Sequence, residues 1–336
     1  VSAVPSTDAT GATGATGVAA GGGARIADRG YRRYTGARTG VWGAMRSVIR
    51  STAQRALGIH RKFRFKVLPV LVIVMTYIPA LVFVGITVLT NRFEQQVGSS
   101  GLDGGFGDGP GMARQFANQL ISDFPDYYGF VVAAIALFAA FVAPEVLCTD
   151  RRTGMLGLYL ASPLNRATYL VAKAMAVGML LLTVTLGPPV LMLIGYATQG
   201  YGPSGLADWS STVLRIVVTG VGIAAFHTTI SMAISSITTR RAAASATFTL
   251  LVVGTGSVLQ FLVRNDALGA DWGVLNLLTL PRDFAYRVFG QEPDPFEMLG
   301  GDALMSTPAV YAGFAGWMVL GLLVIVDRYR RAEVTK

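Results

Sequence analysis

Six stretches of this chain are almost wholly apolar, and each approaches the ~20 residues that carry a helix across a ~30 Å hydrocarbon core. They cover residues 67–89, 128–147, 169–197, 213–237, 242–262 and 309–326. Each is predicted to be a membrane-spanning helix, so the expected fold is an all-α membrane protein with six transmembrane helices. The third stretch is longer than a straight crossing needs and contains Gly187, Pro188 and Pro189, which predicts a kink or tilt. Only the turn ITTRR separates the fourth from the fifth, which makes them a tight antiparallel pair.

Ahead of the first span the pattern changes. From Val41 to His60 the apolar residues Val41, Trp42, Met45, Val48, Ile49, Ala53, Ala56 and Leu57 recur at helical spacing, with Arg46, Arg50 and Arg55 elsewhere on the wheel. This predicts a basic amphipathic helix lying in the membrane interface, with Trp42, Arg46 and Arg50 as its interfacial residues. Residues 1–24, with GATGATG and GGGA, are small and polar and lack a basic lead; they are expected to form a disordered tail and not a signal peptide. The domain division that follows is a tail with a basic end (1–40), the amphipathic helix (41–66), a six-span membrane domain (67–327) and a second short tail (328–336).

Composition agrees with this division. Of 336 residues 52% are hydrophobic and 14% charged, against roughly 25% charged in an ordinary soluble domain. The net charge of +9 raises the question of nucleic acid, and its distribution answers it. Residues 1–66 carry twelve Arg and Lys and two acids, while the remaining 270 residues sum to −1. The basic stretch holds no recognisable nucleic-acid motif with base-stacking aromatics, so no nucleic-acid partner is expected. A polybasic segment beside a span fits anionic lipid. Counting flanking bases by the positive-inside rule, a cytoplasmic amino terminus places 22 basic residues inside and six outside, with both termini cytoplasmic in a multi-pass cell-membrane protein. Of the segments then outside, residues 90–127 are Gly- and Asp-rich, and 263–308 contain WGVLNLLTL, too short to span. That stretch is either a re-entrant or interfacial helix, followed by a breaker at Pro281, or an ordinary core helix of the loop.

The richest loop joins the second and third spans, APEVLCTDRRTGMLGLYLASPLNRATYLVAK. Glu145 lies at the mouth of the span, as a candidate partner of Arg151 or Arg152; Asp150, Arg151 and Arg152 are placed in the loop. Met155 to Ala161 predicts a short surface helix ended at Pro163, with apolar side chains free to dock. Arg166, Tyr169 and Lys173 share one face of the third span, where Lys173 is expected to snorkel to the interface.

An acid at the end of a span, a charged loop ending in Gly, a Leu-rich short helix and then S-P, Arg, Tyr and Lys resemble the permease subunit of the type-2 ABC transporters. GYRRYTG at residues 30–36, the amphipathic helix and the long last outer loop fit the same pattern over roughly residues 25–330. The resemblance implies an elbow helix at Val41–His60, a coupling helix around Gly154–Ser162, and re-entrant outer helices after Asp271. It also implies that Glu145, Asp150, Arg151, Arg152, Gly154, Leu156, Leu158 and Pro163 couple the spans to a dimer of ATP-binding subunits, which hold the ATP and Mg²⁺. A second permease subunit, identical or related, and an export direction are implied as well.

The chain itself has no G-x-x-x-x-G-K-[ST], since none of Lys62, Lys66, Lys173 and Lys336 follows that glycine pattern. No cofactor is therefore expected on it, and ATP hydrolysis is assigned to a partner. Two other classes stay open. An intramembrane enzyme could use His227 and Ser231, which are i, i+4 on the fourth span, although no carboxylate in a span interior orients the imidazole; the alternative is a polar pathway of interhelical hydrogen bonds through Thr228, Thr229, Ser231 and Ser235. An ion-coupled carrier would need an intramembrane carboxylate, for which Glu145 is the nearest candidate, while Arg215 is expected to snorkel. With two histidines far apart and one cysteine, Cys148, no metal site is predicted.

Overall fold

The computed structural model describes residues 40–59, 66–99, 124–155, 164–200, 202–203, 205–265, 267–293 and 305–331. Its elements are α1 (Gly40–Ala56), α2 (Val67–Ser99), α3 (Phe124–Arg152), α4 (Arg166–Thr185), α5 (Gly187–Thr198), α6 (Leu206–Ile237), α7 (Arg241–Arg264), a 3₁₀ helix at Ala270–Leu275, α8 (Leu280–Phe289) and α9 (Thr307–Arg330). The described residues contain no strand. Six helical units are long and apolar enough to cross a membrane: α2, α3, α4 with α5, α6, α7 and α9. The first 39 residues and Leu156–Pro163, which hold the tail and most of the expected coupling helix, lie outside the described residues, as does most of the loop at 90–127.

The bundle is organised around α3. Helices α2, α4, α6, α7 and α8 all pack on it, and 72% of its apolar window is buried, against 22% in α7 and α9. Buried Ala136, Ala139, Ala140 and Ala143 let neighbouring backbones approach closely, the usual basis of helix packing where lipid is as apolar as the side chains. The exposed Val, Leu and Ile of α2, α7 and α9 face outward, as lipid-facing surfaces do.

The predicted break of the third span occurs between Thr185 and Gly187, and its chemistry is explicit. Pro188 and Pro189 carry no N–H, so the carbonyls of Val184 and Thr185 lose their helical donors. Two buried tyrosines of α3 replace them: Tyr127 Oη–H donates to Val184 O at 3.1 Å and Tyr128 Oη–H to Thr185 O at 2.9 Å. Tyr77 of α2 donates to Thr183 O at 3.0 Å. Its hydroxyl lies where a Cβ on residue 187 would fall, 2.1 Å from that position, so glycine is required there.

Helix α1 buries Met45, Val48 and Thr52, one face at i, i+3, i+7, against α4, where Leu164 and Ala172 complete a small core. Trp42, Arg46 and Arg50 are exposed. The helix stops short of the expected His60 because Gly58 takes a left-handed conformation (φ 67°), with Gly58 N–H donating to Arg55 O and Ile59 N–H to Gln54 O.

At the opposite end of the bundle, Pro281 corrects the expectation of a breaker. It occupies the first turn of α8, where a missing N–H costs nothing, and so starts a helix. Phe284 of α8 stacks on Phe314 of α9 (4.0 Å between centroids), which stacks on Phe226 of α6. Tyr286 donates to Asp126 at the start of α3, and Trp317 Nε1–H of α9 donates to Val274 O at 2.9 Å. The segment around α8 is thereby tied to three spans.

Candidate functional site at the α1 end of the bundle

The last two turns of α3 carry Glu145, Cys148, Asp150, Arg151 and Arg152. Sequence placed the last three in a loop. The helix instead runs on to Arg152, because its charges are neutralised by residues that a hydropathy window does not see.

Asp150 is fully buried and accepts from three directions. Arg55 of α1 reaches Oδ1 at 2.6 Å, while Lys173 of α4 reaches Oδ2 at 2.6 Å and the Tyr169 hydroxyl donates to Oδ2 at 2.9 Å. Lys173 also donates to Thr52 Oγ1 of α1 at 2.9 Å. Lys173 is 0% exposed, so it does not snorkel: an internal carboxylate supplies the partner that the interface would otherwise provide. Glu145 is also buried and pairs with Arg241 at the start of α7. Arg151 donates to Ser236 O near the end of α6, where the Cys148 thiol also approaches Ser235 O and Thr238 O. Arg152 is exposed.

The end of α3 is thus bonded to α1, α4, α6 and α7. Removing one member of the fully buried Lys173–Asp150 pair would leave the other uncompensated, at roughly 3–5 kcal/mol, so the end of α3 is firmly tied to α4. Immediately beyond lies Gly154, left-handed at φ 68° with open space around it, which turns the chain out of α3.

The comparison with known families agrees with this architecture. The family described as ABC-2 family transporter protein matches residues 58–270. The chain belongs to that family. No curated protein matches it. As an ABC-2 protein it is a multi-pass membrane component of a transporter, and its six apolar helices accord with a permease.

The other candidates fare differently within the ABC-2 fold. His227 and Ser231 are both 1% exposed on α6. The imidazole Nδ1 faces Ile223 O at 2.9 Å and, since a carbonyl only accepts, carries the proton. The Ser231 hydroxyl donates to His227 O at 2.5 Å, a backbone atom, so no Ser–His dyad forms. Thr229 and Ser235 likewise bond back along their own helix, to Ala225 O and Ser231 O, in place of the interhelical bonds expected. Arg215 is exposed, and its Nη1 donates to Phe289 O at the end of α8 at 2.9 Å. Leu156, Leu158 and Pro163 lie outside the described residues.

Sequence reasoning missed Thr52, Arg55 and Arg241 as partners. The signal for the first two was present: Met45, Val48, Thr52 and Arg55 follow one another at three- and four-residue steps, so the polar pair continues the buried stripe of α1.

Proposed function

We propose that this ABC-2 chain is the permease subunit of an ATP-driven exporter, acting on energy from ATP and Mg²⁺ bound by a dimer of separate ATPase subunits. The single observation that supports this most strongly is the ion cluster at the end of α3. It joins four other helices to the start of the segment that the resemblance assigns to coupling. In this reading α1 is the elbow helix, and the stretch around Gly154–Ser162 with Arg152 presses into the ATPase. The chain around α8 supplies the re-entrant outer helices. Closure of the ATPase pair on ATP moves the coupling segments, and the rigid α1 end converts that movement into a rotation of the spans.

Six spans form half of such a pathway, so a second permease chain, identical or related, completes it across a symmetric interface. Both termini face the cytoplasm in this reading, with the polybasic lead and the Arg46 and Arg50 face of α1 held by anionic lipid. Catalysis is assigned wholly to the partner.

The test is transport by vesicles that contain the chain and its ATPase. Uptake into inverted vesicles that requires hydrolysable ATP and survives an ionophore is the expected result. Transport that persists without ATP and collapses with the ionophore would establish an ion-coupled carrier.

A further inference from the structure

We propose that the α1 end of the bundle carries an exposed arginine surface that docks an acidic face of a partner protein and, resting on the function proposed for the chain, that this partner is the ATPase subunit. Three helix termini and one turn present it. Arg152 ends α3, Arg166 opens α4, Arg240 lies in the turn before α7, and Arg328 and Arg330 stand in the last turn of α9; all five are exposed. Contacts between the helix ends bring them onto one surface. Arg151, beside Arg152, donates to Ser236 O near the end of α6, α9 packs along α6, and Arg166 Nη1 reaches Arg330 O at 3.5 Å.

The exposed charge at this end is one-sided. Among the described residues there, the acids are Glu145, Asp150 and Asp327; the first two are buried, and Asp327 pairs with Arg331 of its own helix. The chain holds no acidic segment that could cover the arginines from its own sequence. Residues 1–39, 60–65, 156–163 and 332–336, which adjoin these helix ends, contain three acids (Asp8, Asp28 and Glu333) against nine Arg and Lys. With those six acids set aside, the other 13 of the 19 lie within 94–126, at 208 or within 266–302, in or beside the segments that join the opposite ends of the helices. The counter-charge therefore comes from another molecule.

Position selects the class of that molecule. Arg152 terminates α3, the helix on which α2, α4, α6, α7 and α8 pack and whose apolar window is 72% buried. Headgroups of the bilayer meet such an end surface at its rim, whereas a protein seated on it reaches the middle. Guanidiniums spread over several helix ends suit an array of carboxylates better than one phosphate. Each exposed pair is worth little alone, but a one-signed surface facing its complement speeds encounter by roughly 10–10³. The arginine surface thus governs how fast the ATPase arrives, while the Leu-rich segment after Gly154 governs how long it stays.

Association kinetics test the proposal, with the tagged full chain in phosphatidylcholine nanodiscs and the nucleotide-binding chains that purify with it. Association should slow about tenfold or more between roughly 0.02 and 0.5 M salt, while dissociation changes by less than about threefold. Arg152→Glu with Arg240→Glu and Arg330→Glu should slow association about tenfold or more at low salt and flatten its salt dependence. Glutamine at the same three positions should give an intermediate rate, and stands in for the reversed variant if that does not fold. Arg264→Glu, exposed at the opposite end of α7, controls for net charge and should leave the rate within about twofold. Association insensitive to salt and to the three substitutions, with the nucleotide-binding chains still bound, would overturn the arginine surface and leave the transporter function standing. An effect of the substitutions seen only with phosphatidylglycerol in the disc would assign the arginines to lipid and overturn the proposal likewise. Absence of any nucleotide-binding chain from the purified material would overturn both.

Discussion

Asp150→Asn is the most informative perturbation of the ion cluster. The substitution preserves shape and removes one charge from a carboxylate that is 0% exposed and accepts from Arg55, Lys173 and Tyr169. Lys173, fully buried, then loses the charge of Asp150, and Arg55, 25% exposed, recovers only part of its hydration. Breaking a buried pair in this way costs about 3–5 kcal/mol, which lowers Tm by several degrees or more. If the cost is the stranded charge, Asp150→Asn with Lys173→Met should be more stable than Asp150→Asn alone, and the two losses should fall short of adding by at least ~1 kcal/mol. Thermal unfolding of all four proteins in one mild detergent gives both quantities. The same proteins assembled with the ATPase should show transport reduced further than ATP hydrolysis, since the end of α3 would no longer be firmly tied to α4. A loss below ~1 kcal/mol for Asp150→Asn, or strict additivity with Lys173→Met, would show that the cluster is not a buried, interdependent unit.

Three further outcomes are expected. Tyr128→Phe removes the donor to Thr185 O beside the proline pair, at a buried position, and should destabilise by about 1–3 kcal/mol in thermal unfolding. Leu156→Asp with Leu158→Asp should leave the chain inserted in the membrane but uncouple it, abolishing substrate stimulation of the partner's ATPase; full retention of that stimulation would contradict the coupling role. Ser231→Ala should leave transport within about twofold of the unmodified chain, because its hydroxyl serves only backbone carbonyls of its own helix.

The spans were legible in the sequence because lipid imposes a long apolar run on every crossing. So was the break at Gly187, since two adjacent prolines cannot continue a helix without outside donors. The donors themselves were not legible: Tyr127 and Tyr128 lie almost sixty residues before the carbonyls they satisfy. Charged ends of spans were misread for a related reason. A hydropathy window stops at Glu145 or Asp150, whereas the helix continues wherever a distant Arg or Lys neutralises the acid. Lys173 shows the same limit from the other side, since snorkelling is the rule for a lone lysine and fails once a carboxylate is packed against it. Pro281 was misjudged because a proline ends one helix or begins the next according to what precedes it, here a turn at Leu277–Thr279. The polar stripe of α1 could have been found by extending the spacing of Met45 and Val48 through Thr52 to Arg55.

In the proposed function this chain moves substrate only in union with separate ATPase subunits. Its most direct test is the mass and activity of the complex purified in mild detergent from its native membrane through a tag on this chain. The expected product is an assembly of two permease chains with two nucleotide-binding chains that hydrolyses ATP and loses the nucleotide-binding chains in the Leu156→Asp, Leu158→Asp variant. A chain that purifies free of any nucleotide-binding partner, and still transports when reconstituted alone, would contradict it.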